Sequence, residues 1–424
     1  MSHSPLARFS AEVRALTLDN GLAVFTLQDP EADVVSVQTW IGAGSAAEEP
    51  DQEGAAHLLE HLLFRGTAAV PDGELDRRME AMGASINAWT STDATCFTVT
   101  APADALDEVL WLEADRFAGS NPSQEVFAAE HEVVLNERRA AVESDPESQA
   151  EEAFLTLCFG DSPYGRPILG RTPQLAALRE GELRRFLLRW YHPQNAAVVI
   201  VGAFDPDALQ ATLQRTWGAW TPRGAAPTAP GWGYAPRRRQ NVALPVASRR
   251  LMAGWPLAAW GSHEHQAAWL AMQLLVGSGS APITRRFILE EALAFDVFAD
   301  AEGSVGPGVA MVGFTPRPGV SLRALERAWA DELQRFVASG PTPDAVDEAI
   351  ARALVAEAAQ LGHSSHVAHL IGEGWRMGGD PRALFAWFES LPTLSISALR
   401  EVARPWAAEA PWRLSVRPLS GGRA

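Results

Sequence analysis

The sequence contains no lysine, only two cysteines and only three tyrosines. All 35 basic residues are therefore arginine, a bias that we attribute to genomic base composition. Cys96 and Cys158 are too few for a disulfide framework. Apolar runs of about 18 residues, which a membrane span needs, are absent. Residues 1–17 lack the basic start and apolar core of a secretory signal peptide. We therefore expect a cytoplasmic protein without membrane association.

The chain has 424 residues and a net charge of −17. This acidic balance disfavours binding to nucleic acid or to anionic membranes. The length suggests about two domains, and the Pro- and Gly-rich stretch 221–236 is typical of a linker. We predict one domain at 1–220 and a second at 237–424. Because strands and helices mix without strict alternation, we expect an α+β fold of two similar domains, each a mostly antiparallel sheet flanked by helices.

The segment His57-Leu58-Leu59-Glu60-His61 places two imidazoles and a carboxylate inside an apolar run. Residues four apart share one face of a helix, so His57 and His61 can bind one metal ion. The order H-x-x-E-H is the inverzincin signature. Catalytic zinc takes three protein ligands and one water, and an additional carboxylate acts as general base. We assign that role to Glu60. The alternative is a partly buried helix whose histidines have only local partners.

The third ligand is expected on a second helix that starts after Ser123 and has no Gly or Pro before Pro146. Glu130 and Glu137 lie two turns apart on one face of it. One of the two can bind the metal while the other orients a histidine, and Glu137 is our candidate ligand. Without the H-x-x-E-H segment, both would be ordinary members of an acidic helix face.

Several stretches resemble the pitrilysin family of zinc peptidases, most closely the short-chain branch of the mitochondrial processing peptidases and their bacterial relatives. The residues concerned are 18–22, 54–67, 83–91, 164–167 and 191–196. The resemblance implies one Zn²⁺ per chain held by His57, His61 and Glu137. It also implies a catalytic base at Glu60 and a supporting catalytic role for Glu130.

Residues 83–91 resemble the edge strand on which that family binds its substrate. A sheet edge can accept an extended peptide as an additional strand. We therefore predict substrate contacts at Asn87, Ala88 and Trp89, with Phe64 as a further pocket wall. The alternatives are a structural hairpin, and core packing for Phe64 and Trp89.

The second half departs from the family. The resemblance implies an Arg and a Tyr, seven residues apart, near the substrate carbonyl, but the matching positions hold Ile288 and Phe295. No tyrosine follows Tyr234. We therefore expect a heterodimer in which a homologous subunit supplies the pair, with a homodimer as second choice. The predicted function is a zinc metalloendopeptidase that cleaves extended or presequence-like peptides. The alternative is a non-catalytic scaffold subunit.

Overall fold

The computed structural model describes residues 4–224, 231–301 and 303–419, which form two compact units. The first unit is built from residues up to 139, from 166–231 and from 358–386, and the second from the remainder. The units thus interleave along the chain, whereas the sequence predicted contiguous domains. Residues 225–230 of the predicted linker lie outside the described residues, and the boundary at 221–236 stays a prediction.

The strands, in chain order, are β1 (Arg14–Thr17), β2 (Ala23–Gln28), β3 (Val34–Ile41), β4 (Ser85–Thr90), β5 (Thr95–Pro102), β6 (Ala196–Gly202), β7 (Arg239–Leu244), β8 (Arg250–Ala259), β9 (Ala294–Asp300), β10 (Pro307–Pro316) and β11 (Trp412–Pro418). The helices are α1 (Pro5–Glu12), α2 (Ala55–Leu62), α3 (Glu74–Ala81), α4 (Leu106–Gly119), α5 (Gln124–Arg138), α6 (Pro146–Phe159), α7 (Thr172–Ala177), α8 (Glu180–Trp190), α9 (Pro206–Trp217), α10 (His263–Leu275), α11 (Pro282–Thr284), α12 (Leu322–Ser339), α13 (Pro343–Gln360), α14 (Ser364–Gly378), α15 (Ala383–Ser390) and α16 (Ile396–Ala408).

The sheet of the first unit has the strand order β1-β2-β6-β3-β5-β4. Only β2 and β6 pair in parallel, and the other neighbours are antiparallel. The central strand β6 is buried along its whole length, as its run of β-branched residues requires. In contrast, β4 pairs only with β5, so its other edge is the outer edge of the sheet.

Helix α14 belongs to the first unit although it lies late in the sequence. It packs against β3 and β6, and its apolar residues Val367, Leu370 and Ile371 are buried. The Gln38 side chain on β3 donates a hydrogen bond of 2.8 Å to the Ser365 carbonyl. A late segment therefore covers one face of the first sheet.

The second sheet has the order β7-β11-β8-β10-β9, again with one parallel pair, β7 and β11, near one edge. The two sheets thus share the sequence of one parallel pairing followed by three antiparallel ones. The predicted α+β fold of two similar, mostly antiparallel domains is confirmed. Within the described residues, no helix combines the length and hydropathy that crossing a bilayer requires.

Candidate metal centre

Helix α2, which carries the H-x-x-E-H segment, begins at a buried carboxylate. Gly54 precedes it with φ of 88°, a left-handed conformation that glycine adopts without strain. The Glu48 carboxylate accepts hydrogen bonds from the N–H groups of Gly54 and Ala56, at 3.0 and 2.9 Å. The first N–H groups of a helix have no partner within the helix, so Glu48 satisfies two donors at the start of α2. Its complete burial raises the pKa of Glu48 well above the usual range.

The two histidines of α2 face Glu137 on α5. Nε2 of His57 lies 3.7 Å from Oε1 of Glu137, and Nε2 of His61 lies 3.4 Å from Oε2. One ligand atom from each of the three side chains falls within 4.8 Å of the other two. Two helices that are distant in sequence therefore direct two nitrogen donors and one oxygen donor at one point.

This arrangement fits a tetrahedral metal ion. Metal–nitrogen and metal–oxygen bonds of about 2.0–2.1 Å place tetrahedral ligand atoms about 3.4 Å apart. Each histidine Nε2 lies near that distance from one oxygen of Glu137, at 3.7 Å from Oε1 for His57 and at 3.4 Å from Oε2 for His61. His57 is only 9% exposed, and burial, followed by the charge of His61, lowers the pKa of His57 to about 4. At neutral pH its ring is therefore uncharged, which is the form that binds a metal.

Glu130 lies on the other side of the His61 ring. Its Oε2 atom is 3.4 Å from Nδ1 of His61, and its Oε1 atom accepts a hydrogen bond of 2.7 Å from Nε of Arg65. Glu130 is buried on α5. It contacts Nδ1 of His61, whereas Glu137 faces Nε2 of the same ring. A carboxylate in this position fixes the orientation and tautomer of a metal-binding histidine.

Glu60 lies between the two histidines in sequence and is 9% exposed. Burial raises the pKa of Glu60, an effect opposed by a hydrogen bond from Thr90 and by the charge of His61. Oγ1 of Thr90 donates that bond to Oε2 of Glu60 at 2.6 Å. Thr90 was not among the predicted site residues, and neither was Glu48. Thr90 acts through a contact with a residue 30 positions away, which no local pattern reveals, whereas Glu48 binds N–H groups only six and eight positions later in the chain.

The predicted substrate residues differ in how far they are exposed to solvent. Asn87 is exposed on the edge strand β4, and its side-chain oxygen accepts a hydrogen bond from the Ala88 N–H. The half-buried Trp89 ring packs edge-on against Trp40 at 5.2 Å and lies 6.0 Å from the ring of His369 on α14.

Phe64 packs toward the core of the first unit. The ring centroid of Phe64 is 6.0 Å from that of Phe97. The guanidinium carbon of Arg116 lies 4.8 Å from the centroid of the Phe64 ring. Arg116 is itself buried and paired with Glu113. The structure therefore gives Phe64 a packing role, while its predicted substrate contact stays a prediction.

Comparisons with known proteins identify the family. A family model described as Insulinase (Peptidase family M16) matches residues 23–172, and one described as Peptidase M16 inactive domain matches residues 178–353. An uncharacterized zinc protease of Mycobacterium tuberculosis is 32% identical over 302 residues, which cover 68% of each chain. The chain belongs to the M16 peptidase family. The predicted resemblance to this family of peptidases is thereby confirmed.

M16 structures share the fold over nearly the whole chain. A protease from Helicobacter pylori superposes with a TM-score of 0.89 at 22% identity, covering 96% of this chain and 99% of the other. The periplasmic protease PqqL from Escherichia coli gives a TM-score of 0.75 at 20% identity, and the match covers 97% of this chain but 48% of PqqL. The matched part is thus about half of the PqqL chain.

The candidate metal ligands lie in only one of the two M16 matches. All three candidate metal ligands fall within the first match, and the second carries the name of an inactive domain. Phe295, at the position where the resemblance implies tyrosine, is 51% exposed on β9, and the guanidinium of Arg317 stacks on its ring at 4.9 Å. A phenyl ring has no hydroxyl group to donate.

Proposed function

We propose that this chain is a zinc metalloendopeptidase that hydrolyses extended peptides or leader- and presequence-like segments. The observation that carries the proposal is the convergence of His57, His61 and Glu137, with Glu60 held beside them by Thr90. The metal is Zn²⁺, one per chain, the cofactor in the names of the curated relatives. We assign the three ligand roles to His57, His61 and Glu137.

Zinc supplies a Lewis acid that polarises a carbonyl and makes water acidic enough to deprotonate near neutral pH. Glu60 then accepts the proton of the attacking water and passes it to the leaving amine. Thr90 occupies one carboxylate oxygen of Glu60, which leaves Oε1 for this proton transfer. Glu130 supports catalysis indirectly, because it holds the His61 ring from behind.

The outer edge of β4 is our proposed substrate site. An unpaired edge offers backbone N–H and C=O groups to an extended chain, and such pairing depends little on the side chains of the peptide. Asn87, Ala88 and Trp89 would line the added strand, with Phe64 as a further contact. We infer a preference for unfolded and basic segments, since the chain carries a net charge of −17.

We further propose that the active form contains two homologous chains. Ile288 and Phe295 stand at the positions where the resemblance implies Arg and Tyr, and a missing oxyanion donor typically costs about 10²–10³ in rate. The match to only 48% of PqqL supports a two-part assembly. A heterodimer in which a homologous subunit supplies the pair is our first choice, and a homodimer is the second.

The test compares the wild-type chain with Glu60→Gln. The zinc content of both proteins is measured by elemental analysis. Their peptidase activity is measured with an unstructured basic peptide that carries a fluorophore and a quencher. Each is assayed alone and with a homologous subunit that carries the Arg and Tyr. We expect zinc in both proteins, turnover only in the wild type, and a gain of at least about tenfold on adding the subunit.

Three results would contradict the proposal in different ways. If Glu60→Gln has the turnover of the wild type, Glu60 is not the general base. If the isolated chain is fully active, no partner subunit is needed. A wild-type chain without zinc favours the alternative, a non-catalytic scaffold subunit. We also propose a cytoplasmic location, which cell fractionation tests separately.

A further inference from the structure

The edge strand β4 directs side chains to both faces of the first sheet, and a different helix lies on each face. Successive residues of a strand point to opposite faces. The Thr90 hydroxyl contacts Glu60 of α2, so Thr90 faces the side of the proposed metal centre. Trp89 and Asn87 face the opposite side, where the Trp89 ring meets His369 of α14. A peptide paired with the edge of β4 would therefore present its side chains alternately to α2 and to α14.

On the α14 side, two aromatic rings in contact with each other are partly open to solvent. The half-buried Trp89 and His369 have ring centroids 6.0 Å apart at an interplanar angle of 59°. The fully buried Trp40 lies 5.2 Å from Trp89 and 5.5 Å from His369. Trp40 thus supports both rings from the core. Because β4 has a neighbouring strand on one side only, the other flank of Trp89 is free to meet an added strand.

A substrate side chain can reach these rings without entering the core. Residues directly opposite each other on paired strands have Cβ atoms about 4.5–5.5 Å apart, so the peptide residue opposite Trp89 would place its side chain against the indole. Asn87 and Ser85, two and four residues earlier on the same face of β4, are polar and exposed. The aromatic surface is therefore confined to one position along the strand.

The charged side chains near this position are of both signs. Nε of Arg376 on α14 donates a hydrogen bond of 2.6 Å to the Asp93 carbonyl, in the turn after β4. Burial, followed by the charge of Glu373, raises the pKa of the Cys96 thiol well above its usual range, and Cys96 lies directly opposite Trp89 on β5. A positive and a negative group thus both lie close by, so charge selects neither a basic nor an acidic substrate side chain.

We propose that Trp89 and His369 form a specificity site that selects an aromatic side chain of the bound peptide. Aromatic pairs are stronger than the burial of their area alone provides, and cross-strand aromatic pairs stabilise sheets. The preference applies to the one peptide residue opposite Trp89, because its two neighbours face α2. The inference rests on the proposed substrate site at the edge of β4, and it assigns a residue from the second half of the sequence to that site.

Fluorescence anisotropy with the full-length Glu60→Gln protein, supplied with zinc, measures peptide binding without cleavage. The probe is a labelled, unstructured polar peptide with one central phenylalanine, and two comparison peptides carry leucine or arginine in its place. We expect the phenylalanine peptide to bind about two- to tenfold more tightly than either. Equal affinity of the phenylalanine and leucine peptides overturns the aromatic class. Tighter binding of the arginine peptide overturns it in favour of a cationic side chain.

Variants in the same background locate the site. His369→Ala should lower the ratio of the leucine to the phenylalanine dissociation constant toward one, whereas a merely structural role would weaken all peptides alike and leave this ratio unchanged. Trp89→Leu, which keeps an apolar side chain against Trp40, should also lower the ratio. His363→Ala, at the exposed residue that precedes α14, is the control and should keep the full preference. A preference that survives both His369→Ala and Trp89→Leu refutes this location.

Cleavage of the same peptides by the wild type separates this inference from the proposed function. We expect a higher kcat/KM for the phenylalanine peptide, with the phenylalanine at one fixed position relative to the scissile bond in the products identified by mass spectrometry. Selective binding without cleavage refutes the peptidase and leaves the specificity site in place. Cleavage of all three peptides with equal kcat/KM refutes the specificity site and leaves the peptidase in place.

Discussion

The hydroxyl group of Thr90 donates a hydrogen bond of 2.6 Å to Oε2 of Glu60. Thr90 closes the edge strand β4, and Glu60 lies on α2, so this bond joins the proposed substrate strand to the proposed catalytic base. The neighbouring Thr95 hydroxyl donates its own proton to the Ala43 carbonyl at 2.9 Å. Oγ1 of Thr90 also lies 3.5 Å from Oγ1 of Thr95, but the bond of 2.6 Å to Glu60 is much the shorter of the two.

Replacing Thr90 by valine keeps the shape of the side chain and removes this donor. A hydrogen bond to a charged group contributes about 1.5–3 kcal/mol, so we expect kcat to fall by about tenfold or more. Zinc content should not change, because Thr90 is not a ligand candidate. Steady-state kinetics with elemental analysis measures both.

Thr98→Val is the matched control, because the Thr98 hydroxyl on β5 donates to the Asn87 carbonyl instead. A Thr90→Val protein with the wild-type kcat would show that Glu60 needs no support from β4.

Glu130 should determine zinc affinity without being a ligand. Changing Glu130 to Gln removes the charge that faces Nδ1 of His61 at 3.4 Å and breaks the pair with Arg65. Loss of such a supporting carboxylate typically costs about 10–100-fold in metal affinity. Competition with a chromogenic chelator measures this change.

Glu132→Gln provides the control on the same helix, because the side chain of Glu132 is exposed. Equal zinc affinity of the wild type and Glu130→Gln would contradict an orienting role for Glu130.

Glu48 should stabilise the first unit through the start of α2. Glu48→Gln replaces a two-oxygen acceptor by an amide with one, so a buried N–H group of Gly54 or Ala56 loses its partner. An unsatisfied buried donor costs about 1–3 kcal/mol, which should lower the melting temperature measured by calorimetry.

The neighbouring change Glu49→Gln removes only a surface ion pair with Arg189 and should have little effect. Equal melting temperatures for both variants would argue against the capping role of Glu48.

Gly372 on α14 should be intolerant of a side chain. A Cβ atom at this position would collide with the indole of Trp40, which is fully buried. Overpacking of this kind costs about 1–3 kcal/mol. Because Trp40 in turn packs against Trp89 on β4, we expect Gly372→Ala to raise the KM for peptides as well as lower the melting temperature.

Gly362→Ala is the control, since its Cβ would meet no atom within 4 Å. A Gly372→Ala protein with unchanged stability and KM would show that α14 adapts without disturbing β4.

Local patterns in the sequence were sufficient for the fold class and for the helices that carry the candidate ligands. The spacing of His57 and His61 and the uninterrupted helix around Glu137 depend only on helical periodicity, and the structure brings these three side chains together. The antiparallel hairpin of β4 and β5 follows in the same way from alternation around a turn.

Contacts between distant segments could not be predicted from such patterns. The Gln38–Ser365 hydrogen bond joins residues 327 positions apart, and nothing in the sequence of α14 indicates which sheet it covers. Thr90 likewise acquires its role only when tertiary packing brings β4 to α2, whereas Glu48 lies just six and eight positions before the N–H groups that it caps. Their side chains are ordinary for an edge strand and for a loop before a helix.

The late position of α14 affects the order in which the protein can be made. The face of β3 and β6 that it covers is complete once residue 202 has been synthesised, but its cover ends at residue 378. During translation this apolar face therefore stays exposed until the residues up to the end of α14 have been synthesised. A fragment ending before α14 would retain every proposed zinc ligand and still expose the back of its own sheet, so we expect such truncations to bind chaperones or aggregate.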